Sequence, residues 1–209
     1  MARYTGPVCR LCRREGEKLF LKGERCYSSS CAFEKRPGGP GQHGKSRKGA
    51  GSDYKKQLRE KQKVRTYYGL KEGTFKKVFT KAAHSDGVTG TQMLSLLETR
   101  LDNIVYRLGF AFSRAQARQM VVHGNIKVNG NKVDRPGYTL SVGDSVEVVD
   151  NQKNNPLVTS ALEATSSRGI ADWLELEKSS VKGTLKVIPS REQMPQTFNE
   201  QNIVELYSR

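Results

Sequence analysis

The chain has 209 residues, with 36 Lys and Arg against 21 Asp and Glu, a net charge of +15. That excess calls for a polyanionic partner, nucleic acid first and an anionic membrane surface second. No stretch approaches the roughly 18 consecutive apolar residues of a spanning helix, and Met1-Ala2-Arg3-Tyr4 leads into no apolar signal core, so the expected location is the cytoplasm. Apolar residues make up only 35% of the chain, which predicts small cores under wide basic surfaces.

All four cysteines fall in the first 35 residues, as Cys9, Cys12, Cys26 and Cys31, spaced C-x2-C-x13-C-x4-C. Two close pairs joined by a short loop suit one tetrahedral ion, and thiolates suit zinc. A [4Fe-4S] cluster uses the same donors and is the alternative. A reducing cytosol disfavours disulfides. Arg10, Arg13, Arg14 and Arg25 are expected to depress the thiol pKa values and so favour thiolates. Four protein ligands leave no open coordination position, so the expected role is structural.

Residues 35–52 are rich in Gly and Pro and carry Lys35, Arg36, Lys45, Arg47 and Lys48. They can bury little and read as a loop or arm. With four cysteines nearby, His43 reads as a loop residue facing nucleic acid rather than a metal ligand. Residues 53–68 begin a helix capped at Ser52 or Asp53. Leu58 and Val64 are nearly its only aliphatic residues; Lys55, Lys56, Arg59, Lys61, Lys63 and Arg65 crowd it, with Tyr54, Tyr67 and Tyr68 as packing or stacking groups. A helix this polar gains from lying on phosphates. Thr74–Ala83 is a second helix, with Phe75, Val78, Phe79 and Ala82 on one face. A third helix, capped at Thr89 or Thr91, aligns Leu94, Leu97 and Leu101.

From Thr99 the pattern becomes denser. Leu101, Ile104, Val105 and Leu108 form one helical face, stopped at Gly109. Ser113 caps the next helix, which turns Ala117, Met120 and Val121 inward and ends at Gly124. Ile126 and Val128 then alternate, Asn129-Gly130 is a two-residue hairpin turn, Val133 begins the return, and Val146, Val148 and Val149 make a further strand. Arg114 and Arg118, one turn apart, share a helix face. With Arg100, Arg107, Lys127 and Lys132 they suit phosphate and RNA-groove contacts, because guanidinium forks bind phosphate oxygens bidentately. Any one of these cations could equally be solvated surface charge; the set together points to RNA.

Beyond Val149, residues 157–166 read as a helix and Trp173 as buried against the helical part. Lys182-Gly183-Thr184 reads as a turn before a strand at 185–188, and Ile203–Tyr207 as a weak strand. No P-loop, G-x-G-x-x-G or H-E-x-x-H motif is present, and His43, His84 and His123 lie in separate elements, so an enzyme is not expected.

Ser113-Arg114-Ala115-Gln116-Ala117-Arg118-Gln119, followed by His123-Gly124-Asn125-Ile126-Lys127-Val128-Asn129-Gly130, resembles the signature of the S-four RNA-binding domain. It departs at Ala115, where a second Arg is frequent, and at Asn125, where His is. The cysteine segment, Pro40-Gly41-Gln42-His43-Gly44, Gln57–Lys63, Tyr67-Tyr68-Gly69, Leu101-Asp102-Asn103 and Glu205–Arg209 extend the likeness to the zinc-containing branch of the ribosomal S-four family.

The resemblance implies a fold of class α+β: a metal-binding segment and basic arm at 1–52, a mainly helical rRNA-binding domain at 53–98 plus 151–209, and an inserted S-four domain at 99–150 built of two helices on a hairpin sheet. It also implies direct binding to the 5′ domain of 16S rRNA, early in assembly, with neighbouring small-subunit proteins near the mRNA entrance and a part in decoding accuracy. Lys45, Arg47 and Lys48 follow the Gln-His-Gly motif, where basic residues of family members touch mRNA. The expected RNA contacts are therefore Arg3, Arg10, Arg13, Arg14, Arg36, His43, Lys45, Arg47, Lys48, Lys55, Lys56, Arg59, Lys61, Lys63, Arg65, Arg100, Arg107, Arg114, Arg118, His123, Asn125 and Lys127. The alternative is a stand-alone RNA-binding or RNA-chaperone zinc protein.

Overall fold

The computed structural model describes residues 4–45 and 51–208, without the side chains of residues 45 and 166–168. The chain divides into two units. Unit 1 comprises residues 1–93 and 195–209, and unit 2 comprises residues 94–194.

Unit 1 begins with two short helices, α1 (Cys9–Glu15) and α2 (Ala32–Lys35). Helix α3 (Asp53–Tyr67) starts where Ser52 caps it, its side chain accepting from the Lys55 N–H at 3.3 Å. Helix α4 (Glu72–Ala83) buries Phe75 and Ala82, as its periodicity predicts. Helix α5 (Thr89–Glu98) follows, and the division between the units falls within it.

The apolar run through Leu94, Leu97 and Leu101 does not make one helix. Thr99 and Arg100 interrupt it, and Arg100 is extended (φ −67°, ψ 140°) and bridged to Thr139. Helix α6 (Leu101–Arg107) then buries Leu101, Ile104 and Val105. Gly109 (φ +86°) turns the chain, and Ser113 caps α7 (Arg114–Val122) through the Gln116 N–H at 3.3 Å. Strands β1 (Ile126–Val128) and β2 (Asn131–Lys132) form the hairpin. Asn129 (φ +48°) and Gly130 (φ +79°) both occupy the left-handed conformation that a type I′ turn requires.

Strand β3 (Ser145–Val148) pairs with β1, setting Val128 opposite Val146 and Ile126 opposite Val148. A short helix α8 (Asp150–Lys153) leads to α9 (Pro156–Arg168), capped by Asn155 with Pro156 in its first turn. Strands β4 (Leu174–Glu177) and β5 (Lys182–Leu185) complete a five-stranded antiparallel sheet of order β2-β1-β3-β5-β4. Gly183 allows this sheet to approach α6 closely: a Cβ there would lie 2.3 Å from Leu108 Cδ2. The core joins Ile104, Leu108, Phe110, Val146, Val148, Trp173 and Leu185.

Three expectations change here. Lys182-Gly183-Thr184 is strand rather than turn, because it pairs with both β3 and β4. Trp173 is buried in the core of unit 2, not against the helical part. Residues 151–194 belong with 94–150 through the β3–β5 pairing, so only 195–209 return to the helical body.

That return is α10 (Glu200–Tyr207), a helix where a weak strand is expected. Asn199 caps it, accepting from Asn202 N–H. It packs on α3 within unit 1: Gln57 Nε2 donates to Glu205 Oε2 at 2.8 Å, and Tyr207 stacks on Phe79 with ring centroids 4.4 Å apart. Tyr67, Tyr68 and Phe198 form an aromatic cluster beside it, so Tyr67 and Tyr68 are packing groups. No helix among the described residues is long and apolar enough to cross a membrane.

Candidate nucleic-acid interface

Basic charge is unevenly divided. Unit 1 carries 23 Lys and Arg against 10 Asp and Glu, a net +13; unit 2 carries 13 against 11, a net +2. The electrostatic footprint for a polyanion is therefore on unit 1.

In unit 2 the arginines are largely used internally. Asp102, 4% exposed, accepts from Arg100 Nε at 3.1 Å, Arg100 Nη2 at 2.8 Å and Arg118 Nη1 at 2.9 Å. Glu98, fully buried, accepts from Arg107 Nη2 at 2.7 Å and Nε at 3.1 Å, and from Asn103 Nδ2 at 2.6 Å. Asn103 Oδ1 accepts in turn from Arg114 Nε at 2.8 Å, and the Arg114 guanidinium stands 4.5 Å from the Tyr106 ring centroid. Arg114 and Arg118 do share a face of α7, but that face is turned onto α6. Burial makes the pairing obligatory, since a carboxylate out of water is costly unless charge-compensated and hydrogen-bonded. Arg100, 5% exposed, is not available to RNA in this structure.

Lys127 lies 3.0 Å from Asp150 and 3.9 Å from Glu147. Hydrogen bonds from Lys153 and Lys127 hold the Asp150 carboxyl down at about 2. His123 is exposed and Asn125 half-buried just beyond α7.

The cations of α3 are sorted in the same manner. Its inward face is Gln57, Lys61 and Val64, more polar than periodicity can reveal. Lys61, 7% exposed, donates to Glu72 Oε1 at 2.6 Å, and Arg65 lies 3.8 Å from the same carboxylate. Burial by itself would raise the Glu72 pKa; the Lys61 hydrogen bond and charge outweigh it and hold it below the usual range. Lys63 bridges Glu60 at 2.7 Å and Glu17 at 2.8 Å, and Arg59 pairs with Glu15. Arg13 donates from Nε to Gly38 O and from Nη2 to Gly39 O, both at 3.1 Å, which clamps α1 to the Gly-rich segment.

Of the expected contacts in unit 1, Arg10, Arg14, Arg36, His43, Lys55 and Lys56 are exposed, Lys56 being 3.0 Å from Asp53. Arg3, Arg47 and Lys48 lie outside the described residues, as does the side chain of Lys45. Sequence reasoning missed Lys71, Lys76, Lys77 and Lys81, which are exposed at or on α4 with no carboxylate partner among the described residues. The signal was present. If Phe75, Val78, Phe79 and Ala82 face inward, the lysines between them face out.

The four cysteines are free. Cys12, Cys26 and Cys31 are buried, and Cys12 and Cys26 each feel the charges of the other three cysteines or two of them. The Lys22 N–H donates to Cys26 Sγ at 3.3 Å. Burial pushes the Cys12 and Cys26 thiols up, opposite to the expected depression by arginine. Arg10, Arg14 and Arg25 are exposed to solvent, and Arg13 is turned to the glycine carbonyls, so none neutralises the sulfurs. Among the described residues no three His, Cys, Asp or Glu side chains stand in a metal-holding arrangement. The donor set nonetheless fits a thiophilic ion in chemistry: four thiols, three of them buried, with a backbone N–H directed at one sulfur.

Two family models match successive parts of the chain. A model of the ribosomal protein S4/S9 N-terminal domain matches residues 3–98, and a model of the S4 domain matches residues 99–146. The small ribosomal subunit proteins uS4 of Thermus thermophilus and of Desulfatibacillum aliphaticivorans are each 53% identical to this chain, and that of Syntrophobacter fumaroxidans is 54% identical. Each of these alignments spans 209 residues and the whole of both chains. With identity above one half along its entire length, and with both domain models matching in succession, this chain belongs to the uS4 family of small ribosomal subunit proteins.

Proposed function

We propose that this protein is a non-catalytic structural constituent of the small ribosomal subunit in the cytoplasm, that it binds 16S rRNA directly, and that unit 1 supplies most of the attraction. The observation that carries this is the net +13 of unit 1 in a member of the family that matches its relatives along their whole length. Exposed Arg10 and Arg14 on α1, Arg36 just after α2, Lys55 and Lys56 on α3 and the lysines of α4 spread the cations over four elements, which suits a partner contacted at several points, as a folded junction is. Recognition is by shape, with phosphate and 2′-OH contacts dominating. The finer placement is the 5′ domain of the rRNA, early in assembly, with small-subunit proteins and mRNA at the entrance as neighbours. Lys45, Arg47 and Lys48 are our candidates for the mRNA contact.

Cys9, Cys12, Cys26 and Cys31 are the ligands we assign to one Zn²⁺. When bound, it ties together an N-terminal segment too small to build its own apolar core.

The test is chemical footprinting on naked 16S rRNA at several salt concentrations, with DNA and tRNA as competitors. We expect protection of a discrete 5′-domain junction that survives competition. Diffuse protection, lost as readily to DNA as to tRNA, would leave only a basic nucleic-acid-binding protein and would overturn the proposal.

A further inference from the structure

Unit 2 holds a cavity of about 460 Å³ beside the C-terminal end of α7, within the size range of small-molecule sites. In a chain that is 27% charged, no Lys, Arg, Asp or Glu among the described residues lines it. Its polar wall consists of the carboxamides of Gln116, Gln119, Asn125, Gln152 and Asn155, with the imidazole of His123; Phe112, Met120 and Val158 supply an apolar surface.

Three of the carboxamides are held in place. The Phe112 N–H donates to Gln116 Oε1 at 3.0 Å, and Asn155 Nδ2 donates to Gln152 Oε1 at 2.8 Å. Asn155 is itself held, its Oδ1 accepting from the Leu157 N–H at 3.0 Å. With their oxygens engaged, Gln116 and Gln152 offer a ligand their Nε2 donors. An uncharged lining does not reward a phosphate or an ammonium group. Fixed amide donors beside an aromatic ring and a thioether do reward a flat heterocycle with carbonyl oxygens on its edge.

We infer that this cavity receives one unstacked base of the bound RNA, a uracil through its two carbonyl oxygens or a guanine through O6 and N7, these atoms accepting from Gln116 and Gln152 while the ring lies against Phe112 and Met120. The inference rests on the rRNA reading above and deepens it, because sequence-specific RNA contacts are made chiefly to splayed-out bases. Adenine carries an amino group where guanine carries its carbonyl, so it sets donor against donor and is disfavoured.

The experiment uses the ¹⁵N-labelled full chain, titrated with uridine, guanosine and adenosine 5′-monophosphates and with ribose 5-phosphate, following the side-chain amide resonances. UMP and GMP should shift the Gln116 and Gln152 NH₂ signals, AMP should do so less, and ribose 5-phosphate not at all. Gln152→Leu should abolish the UMP shift while the backbone spectrum is retained. Equal shifts with ribose 5-phosphate, or none with any nucleotide up to tens of millimolar, would overturn the inference. A second arm measures 16S rRNA affinity for Gln119→Trp, which fills the cavity from an exposed position. We expect about a tenfold loss, the scale of one stacked base. If wild type protects a discrete rRNA site and Gln119→Trp binds equally well, the base pocket is wrong and the rRNA reading stands. If wild type protects no discrete site, both fall.

Discussion

Arg118 donates from Nη1 to Asp102 Oδ2 at 2.9 Å, although the two are sixteen residues apart in the chain. The guanidinium expected on a phosphate is thus an internal partner of a buried carboxylate that Arg100 also holds. Arg118→Ala should destabilise unit 2 by about 2 kcal/mol, the scale of a charged hydrogen bond. Asp102→Ala strands two guanidinium groups and should cost about 3–5 kcal/mol. Urea denaturation measures both. Unchanged stability with a tenfold loss of rRNA affinity in Arg118→Ala would place that side chain on RNA instead.

The α4 lysines predict the opposite pattern. Replacing Lys76, Lys77 and Lys81 together by Ala removes exposed cations without carboxylate partners among the described residues. Stability should stay within about 0.5 kcal/mol. The rRNA affinity should fall, and the slope of log affinity against log salt should flatten by about 2 to 3, close to one unit per phosphate contact. An unchanged slope would remove α4 from the interface.

Two glycines separate backbone strain from packing. Gly124 (φ +70°) has nothing within 4 Å of an added Cβ, whereas at Gly109 (φ +86°) that Cβ would lie 2.3 Å from Thr165 Oγ1. Gly124→Ala should cost about 1 kcal/mol, from the left-handed backbone alone. Gly109→Ala adds overpacking against α9 and should cost about 2–4 kcal/mol in all. Equal costs would show that α9 yields freely at this contact.

Acid should loosen unit 1 through Glu72. Its carboxyl is held below the usual value of 4.5 because hydrogen bonding to Lys61 and that lysine's charge outweigh burial. The stabilisation is therefore present above about pH 4.5 and is lost as the pH falls through the lower folded value. The urea midpoint of the wild type should drop more steeply between about pH 5 and 3 than that of Glu72→Gln. Parallel curves would mean that this pair contributes nothing to the acid limb.

Metal content tests the cysteine assignment. Elemental analysis should find about one zinc per chain, and Cys26→Ser should lose it and increase proteolysis within residues 1–35. Iron with acid-labile sulfide and a brown colour would replace zinc by a cluster. Stoichiometric absence of both metals would withdraw the site.

Local signals were legible wherever the determining contact is local. The caps at Ser52 and Ser113, the Asn129-Gly130 turn and the inward face of α4 each depend on residues a few positions apart, so the sequence by itself determined them. The basic balance called for a polyanionic partner, and the motifs from Ser113 to Gly130, together with the cysteine segment and Gln57–Lys63, pointed to the family to which the chain belongs. Tertiary structure alone decided three things. It moved residues 151–194 into unit 2, because β5 gains its hydrogen bonds from β3, some forty residues earlier. It made residues 203–207 helical, because Ile203 and Tyr207 pack inside unit 1 as one face of α10. It also decided which cations face water. Lys61, Arg100 and Arg118 look in sequence like Lys76 and Lys81, but a charge is spent internally wherever folding buries either it or the carboxylate beside it, and no local pattern records that juxtaposition.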